Sequence, residues 1–120
     1  MYTINHIFKN ENLLEEWIQE NEFNLKKECL VQFFCGIPDF KTMSKISKKL
    51  LKELPLAHII GTTTDGEIIG ERVTSNEVII SVTVFEKSTI RSVGVEHISN
   101  SFDMGCDIAK ELDGENIKVM

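Results

Sequence analysis

Proline is almost missing from this chain, with two in 120 residues, and seven glycines complete a low share of chain-breaking residues. That excludes a Pro/Gly-rich low-complexity segment. Cysteine is sparse as well: Cys29, Cys35 and Cys106 make an odd count with no CxxC pair. This excludes a disulfide scaffold and a zinc ribbon and fits reduced thiols in a cytoplasmic protein. Cys29 and Cys35 lie six residues apart on one predicted strand and cannot bridge without folding it back. Basic residues are the minority charge, 13 against 19 acidic, for a net charge of −6 and a pI near 5.0. A nucleic-acid binder draws its affinity from basic residues meeting phosphates, and a polybasic membrane-surface module does the same, so neither partner is expected. No stretch approaches the ~20 apolar residues of a membrane helix. Met1-Tyr2-Thr3-Ile4-Asn5-His6 lacks the basic region and apolar core of a secretory signal. The three histidines, His6, His58 and His97, stand at no metal-ligand spacing, so no metal and no cofactor are expected.

What is present is 42% apolar residues in clear patterns and 27% charged residues, the mixture of a soluble globular protein. The length predicts a single domain over 1–120. Tyr2, Ile4, His6 and Phe8 alternate as a half-buried strand. Asn10 or Asn12 can cap a helix whose Leu13, Leu14, Trp17 and Ile18 form an apolar stripe. Cys29-Leu30-Val31-Gln32-Phe33-Phe34-Cys35 is nearly all apolar, which predicts a strand in mid-sheet with both faces covered. Gly36 ends it, and Asp39 is the expected cap of a helix carrying Phe40, Met43, Ile46, Leu50, Leu51 and Leu54 on one side. Its five lysines, Lys41, Lys45, Lys48, Lys49 and Lys52, read as a solvated face. Pro55 stops the helix, and Leu56 to Ile60 is the next strand. Strand, helix and strand within about thirty residues make a βαβ unit with parallel strands.

Beyond this unit the pattern turns to strands. Val78, Ile80, Val82 and Val84 alternate with Ile79, Ser81, Thr83 and Phe85 after a Ser75-Asn76 turn. Thr89 to Glu96 reads as a further extended run, with a phase break near Arg91-Ser92, joined to its neighbour by a short hairpin. A helix is expected over about 101–113, capped by Ser99, Asn100 or Ser101 and closed by Gly114 as its C′ glycine. Phe102, Cys106, Ala109 and Leu112 share one of its faces. Asn116 to Met120 opens another strand, which suggests a fragment of something longer. The expected fold class is α/β: a mixed sheet with a parallel βαβ core, antiparallel hairpin strands and helices packed on the faces.

Open α/β sheets bind ligands beyond the carboxyl ends of their parallel strands. Two segments have that address: Cys35-Gly36-Ile37-Pro38-Asp39 and Gly61-Thr62-Thr63-Thr64-Asp65-Gly66-Glu67. The second gathers three hydroxyls, two glycines and two carboxylates within seven residues. Hydroxyls and backbone N–H groups suit a carboxylate or amide, and Asp65 or Glu67 suits an amine, so the loop could line a site for a small zwitterion. The spacing by itself is equally that of a β-branched strand turned by Asp65-Gly66, and two acids on such a turn are ordinary solvated charge. No GxxxxGK[ST], GxGxxG or GxSxG is present. Cys35 at a strand end before a helix N-terminus has the address of an activated thiol, with no histidine adjacent in sequence to act as its base.

Ile59-Ile60-Gly61-Thr62-Thr63-Thr64-Asp65-Gly66-Glu67-Ile68 resembles the signature of the FIST domain, in which an apolar strand runs into Gly-Cys/Thr-Ser/Thr-x-x-Gly-Glu-Ile. The resemblance covers roughly residues 29–120 and the first part of that family's N-terminal half. It implies an intracellular sensory domain of bacterial signalling proteins that binds small ligands such as amino acids. It further implies an output domain such as a diguanylate cyclase, a chemoreceptor signalling region or a histidine kinase. Gly61, Thr62, Thr63, Thr64, Gly66 and Glu67 stand at its motif positions. Thr62 replaces a frequent cysteine, and Asp65 replaces a smaller residue and adds a charge. The expected function is therefore a non-catalytic sensory domain for a small polar ligand, with Cys35, Gly36 and Gly61 to Glu67 as binding residues. The alternatives are an interaction module that forms a homodimer through a sheet edge, and a thiol enzyme centred on Cys35.

Overall fold

The computed structural model describes residues 1–26, 28–37, 39–96 and 100–114. The chain divides into two compact units, Met1–Ile90 and Arg91–Met120.

The first unit opens with β1 (Tyr2–Ile7) and α1 (Glu11–Glu20), followed by a 3-10 turn at Phe23–Leu25. Then come β2 (Cys29–Cys35), α2 (Phe40–Glu53), β3 (His58–Thr63), β4 (Glu67–Ile69), β5 (Arg72–Thr74) and β6 (Val78–Val84). The main sheet has the order β1-β6-β2-β3, and β4 and β5 form a separate hairpin. β2 and β3 are parallel, with Leu30 opposite His58 and Cys35 opposite Thr63. The βαβ unit is therefore as expected, except that its second strand, expected over Leu56 to Ile60, runs from His58 to Thr63 and takes in Gly61, Thr62 and Thr63. β6 runs antiparallel to both β1 and β2, with Val82 between Ile4 and Val31.

The register explains the core. Val78, Ile80, Val82 and Val84 of β6 and Cys29, Val31, Phe33 and Cys35 of β2 are all buried, and they share a cluster with Leu14 and Ile18 of α1 and Ile46 and Leu50 of α2. Both helices thus cover the same face of this sheet. His6 of β1 stacks on Trp17 of α1 with ring centroids 4.7 Å apart, and Lys49 of α2 pairs with Glu15 of α1 and Glu53. Mid-sheet placement of β2 agrees with its apolar run, but its second face is only partly covered: Leu30, Gln32 and Phe34 are half-buried where Cys29, Val31, Phe33 and Cys35 are buried. The opposite face is polar toward β1, where Thr3 bonds Thr83 and Ser81 donates to Asn5.

Local capping follows the sequence. Of the two candidate caps of α1 the chain uses Asn10, whose side chain accepts from Leu13 N–H at 3.0 Å. Asp39 caps α2 by accepting from Lys41 and Thr42 N–H.

The strand expected over Thr89 to Glu96 does not form; residues 88–96 are irregular. β6 already has β1 on one side and β2 on the other, so it has no edge left for a following hairpin partner. Ile90 N–H donates instead to the Glu28 carboxylate at 2.9 Å.

The second unit contains α3 (Ser101–Leu112), capped by Asn100. No residue of α3 is buried, including those on the face of Phe102, Cys106, Ala109 and Leu112. Gly114 follows the helix but is not left-handed, the one positive-φ glycine among the described residues being Gly70. The last carbonyls are satisfied by Arg91, whose guanidinium donates to Glu111 C=O at 2.9 Å and to Asp113 C=O at 3.3 Å. The sequence expectations at His97, Ser99 and 116–120 lie outside the described residues.

Candidate ligand site at the rim of the parallel strands

Parallel pairing puts the carboxyl ends of β2 and β3 on one rim, and the backbone ties them there: Thr64 N–H donates to Cys35 C=O at 3.0 Å. Gly36 N–H, one residue past β2, donates to Glu77 C=O at 2.7 Å. Beyond Thr64 the chain turns through Asp65-Gly66 and enters β4, whose first residue is Glu67.

Glu67 is the one buried charged residue among the described residues, 3% exposed. Its Oε1 accepts a short hydrogen bond from the Thr64 hydroxyl. Its Oε2 is out of solvent and has no partner among the described residues. An acceptor left in that state costs about 1–3 kcal/mol. The carboxyl lies against Gly36, where a Cβ would stand 2.2 Å from Oε1. The bare backbone of Gly36 makes the room that Glu67 fills. On β3 a similar fit occurs at Gly61, whose missing Cβ would lie 2.1 Å from the ring of its register partner Phe33.

In front of Glu67 lies a cleft of about 270 Å³, lined by Phe34, Thr64, Gly66, Glu67, Ile68 and Ile79. Phe34, Ile68 and Ile79 are apolar, Glu67 is an acid, and Thr64 and Gly66 complete the lining. The alternation of β2 explains the first wall: Phe33 points to the helices, so Phe34 points the other way. Ile79 of β6 sits opposite Phe34 in register.

The structure brings Thr64, Gly66 and Glu67 together at this cleft, with Gly36 directly behind Glu67. The other expected residues stand elsewhere. Cys35 is fully buried on the helix side, and its Sγ donates to Ile37 C=O at 3.0 Å. Gly61 and Thr63 belong to the helix-facing register of β3, opposite Phe33 and Cys35. Thr62 is exposed, its hydroxyl donating to Thr63 C=O at 3.2 Å. Asp65 is exposed on the turn. Asp65 and Glu67 are therefore not a pair of solvated acids: Asp65 is solvated, and Glu67 is drawn inward by entering β4 against a glycine. Sequence reasoning missed Phe34, Ile68 and Ile79. The available signal was an apolar residue at an outward position directly before the loop, as at Phe34.

The sequence model of the FIST N domain matches residues 29–119, most of the chain. The chain belongs to the FIST family. FIST domains are sensory domains of signal transduction, and the Gly61 to Ile68 signature here builds the β3 exit, Glu67 and the Ile68 wall. No curated protein and no solved structure gives a significant match to this FIST chain. Among the described residues no helix is long and apolar enough to cross a membrane, and no group of three or more His, Cys, Asp or Glu side chains could hold a metal ion.

Proposed function

We propose that this chain is the non-catalytic sensing part of a bacterial, cytoplasmic signalling protein that binds a small polar ligand of amino-acid-like size. The ligand sits at the rim of β2 and β3, and its occupancy is passed to an output domain such as a diguanylate cyclase, a chemoreceptor region or a histidine kinase. One observation carries this reading: a cleft at the carboxyl ends of the parallel strands is backed by a buried acid built from the family signature. A site that only turned the chain would leave Glu67 in water, where a carboxylate is better solvated. Three free cysteines fit the reducing compartment. A thermal-shift screen of amino acids, amines and small carboxylic acids on the full chain tests the reading. At least one class raises the melting temperature; a folded protein that responds to none of them refutes it.

A second reading rests on a separate observation. Among the described residues β3 is one of the two outer strands of the sheet, carries no carboxylate, lysine or proline, and has Ile60 54% exposed. Strand edges without such guards invite pairing. A second copy joined at β3 gives a homodimer, and light scattering of the wild type against Ile60→Lys decides it. A wild type that stays monomeric at high concentration refutes this reading.

A further inference from the structure

The cleft also carries information about the charge of its ligand, and the inference rests on the sensory reading above. Each named donor at the rim is already engaged. Thr64 N–H is bonded to Cys35 C=O, the Thr64 hydroxyl to Glu67 Oε1, Gly36 N–H to Glu77 C=O, and the Thr62 hydroxyl to Thr63 C=O. Among the described residues lining the cleft there is no lysine, arginine or histidine. A ligand carboxylate entering there would meet Glu67 with no cation to offset it. The spare capacity is an acceptor: Oε2 of a side chain 97% buried and hydrogen-bonded only through its other oxygen. Glu67 itself lines the cleft, and the terminal torsion of a glutamate is broad, so the carboxyl plane can turn to meet a donor there. Beside it, Phe34, Ile68 and Ile79 offer an apolar wall to whatever the charged head carries.

We infer that the cleft selects a primary ammonium group on a short apolar tail, with Glu67 as its counter-charge, and that a carboxylate on the ligand opposes binding. This departs from the zwitterion that the loop composition suggests. In the sequence the threonines count as free donors; in the fold the hydroxyl hydrogens of Thr62 and Thr64 are spent within the protein, and Thr63 belongs to the helix-facing register of β3.

Three compounds sharing one branched tail separate the possibilities: isopentylamine, leucine and 4-methylpentanoic acid, each titrated calorimetrically into the full chain. The amine binds most tightly, leucine at least about tenfold more weakly, and the acid not at all. Glu67→Gln keeps the shape and removes the charge; it weakens the amine at least about tenfold while its circular dichroism matches the wild type. If leucine or the acid binds and the amine does not, the sensory site stands and its assignment as an amine site is overturned. Equal affinity for all three, or undiminished amine binding by Glu67→Gln, overturns it too. If none of the three binds and the broader screen is also silent, the sensory reading falls with it. The wild-type series decides the matter even where Glu67→Gln fails to fold.

Discussion

At Gly36 the absent Cβ would stand 2.2 Å from Oε1 of Glu67, and at Gly61 it would stand 2.1 Å from the Phe33 ring. Phe33, 4% exposed, has no open space to retreat into, whereas the Glu67 carboxyl can retreat only toward the cleft it lines. Gly36→Ala is expected to destabilise the fold by about 1–3 kcal/mol, as overpacking does, and to expel the Glu67 carboxyl from its niche. Urea unfolding reads the first effect and ligand titration the second. Thr64→Val removes the sole donor to the Glu67 carboxylate among the described residues and is expected to cost about 1–3 kcal/mol, whereas Thr64→Ser keeps the hydroxyl and stays close to wild type. A Thr64→Val protein with an unchanged urea midpoint would show that the bond to Glu67 contributes nothing. His6 supplies a pH dependence. Its imidazole is half-buried under Trp17, and burial lowers its pKa from the ordinary 6.5. Above that value His6 is neutral in both folded and unfolded chains and the full stability is present. As pH falls through 6.5 the unfolded chain takes up the proton first, so stability declines until the lowered folded value is passed. Urea midpoints between pH 7.5 and 5 therefore fall in the wild type and fall less in His6→Phe.

At the scale of elements the caps decide where helices begin. Asn10→Ala is expected to cost about 1 kcal/mol, because the Leu13 N–H then loses its acceptor. The Asp39 carboxyl is held below the usual carboxylate range by the Thr42 hydroxyl and the Lys41 N–H. Its contribution to α2 is present above the ordinary carboxylate value and lost as pH falls through the lowered one. Both caps were readable in sequence, since Asn and Asp before an apolar stripe are strong local signals. So was the βαβ unit, because Cys29–Cys35 and Leu56–Ile60 are apolar runs and the helix between them carries an apolar stripe. Thr89 to Glu96 shows what a local pattern omits. The residues suit a strand, but strand formation needs a partner edge, and β6 has none to give. Hydropathy likewise identifies which residues of β6 face inward and says nothing of which strands flank it. The site was legible as far as Thr64, Gly66 and Glu67. The apolar walls from Phe34 and Ile79 were not, because they come together only through the pairing of β2 with β6. The inward turn of Glu67 was hidden for the same reason: its depth is set by Gly36, far earlier in the chain.

For the molecule as a whole, the sheet order β1-β6-β2-β3 places the last of the described strands between the first two. β2, α2 and β3 are contiguous and can associate early. β1 cannot, because every backbone bond it makes within the sheet goes to β6. On a nascent chain emerging at about 5–20 residues per second, the N-terminal strand waits on the order of several seconds after β2 appears before β6, its one neighbour among the described strands, leaves the ribosome. During that interval Ile4 and the inner edge of β2 have no cover, and they are the segments a chaperone would hold. Synonymous changes that slow translation between the codons for β3 and β6 should therefore lower the soluble yield of this protein without altering a single residue of it.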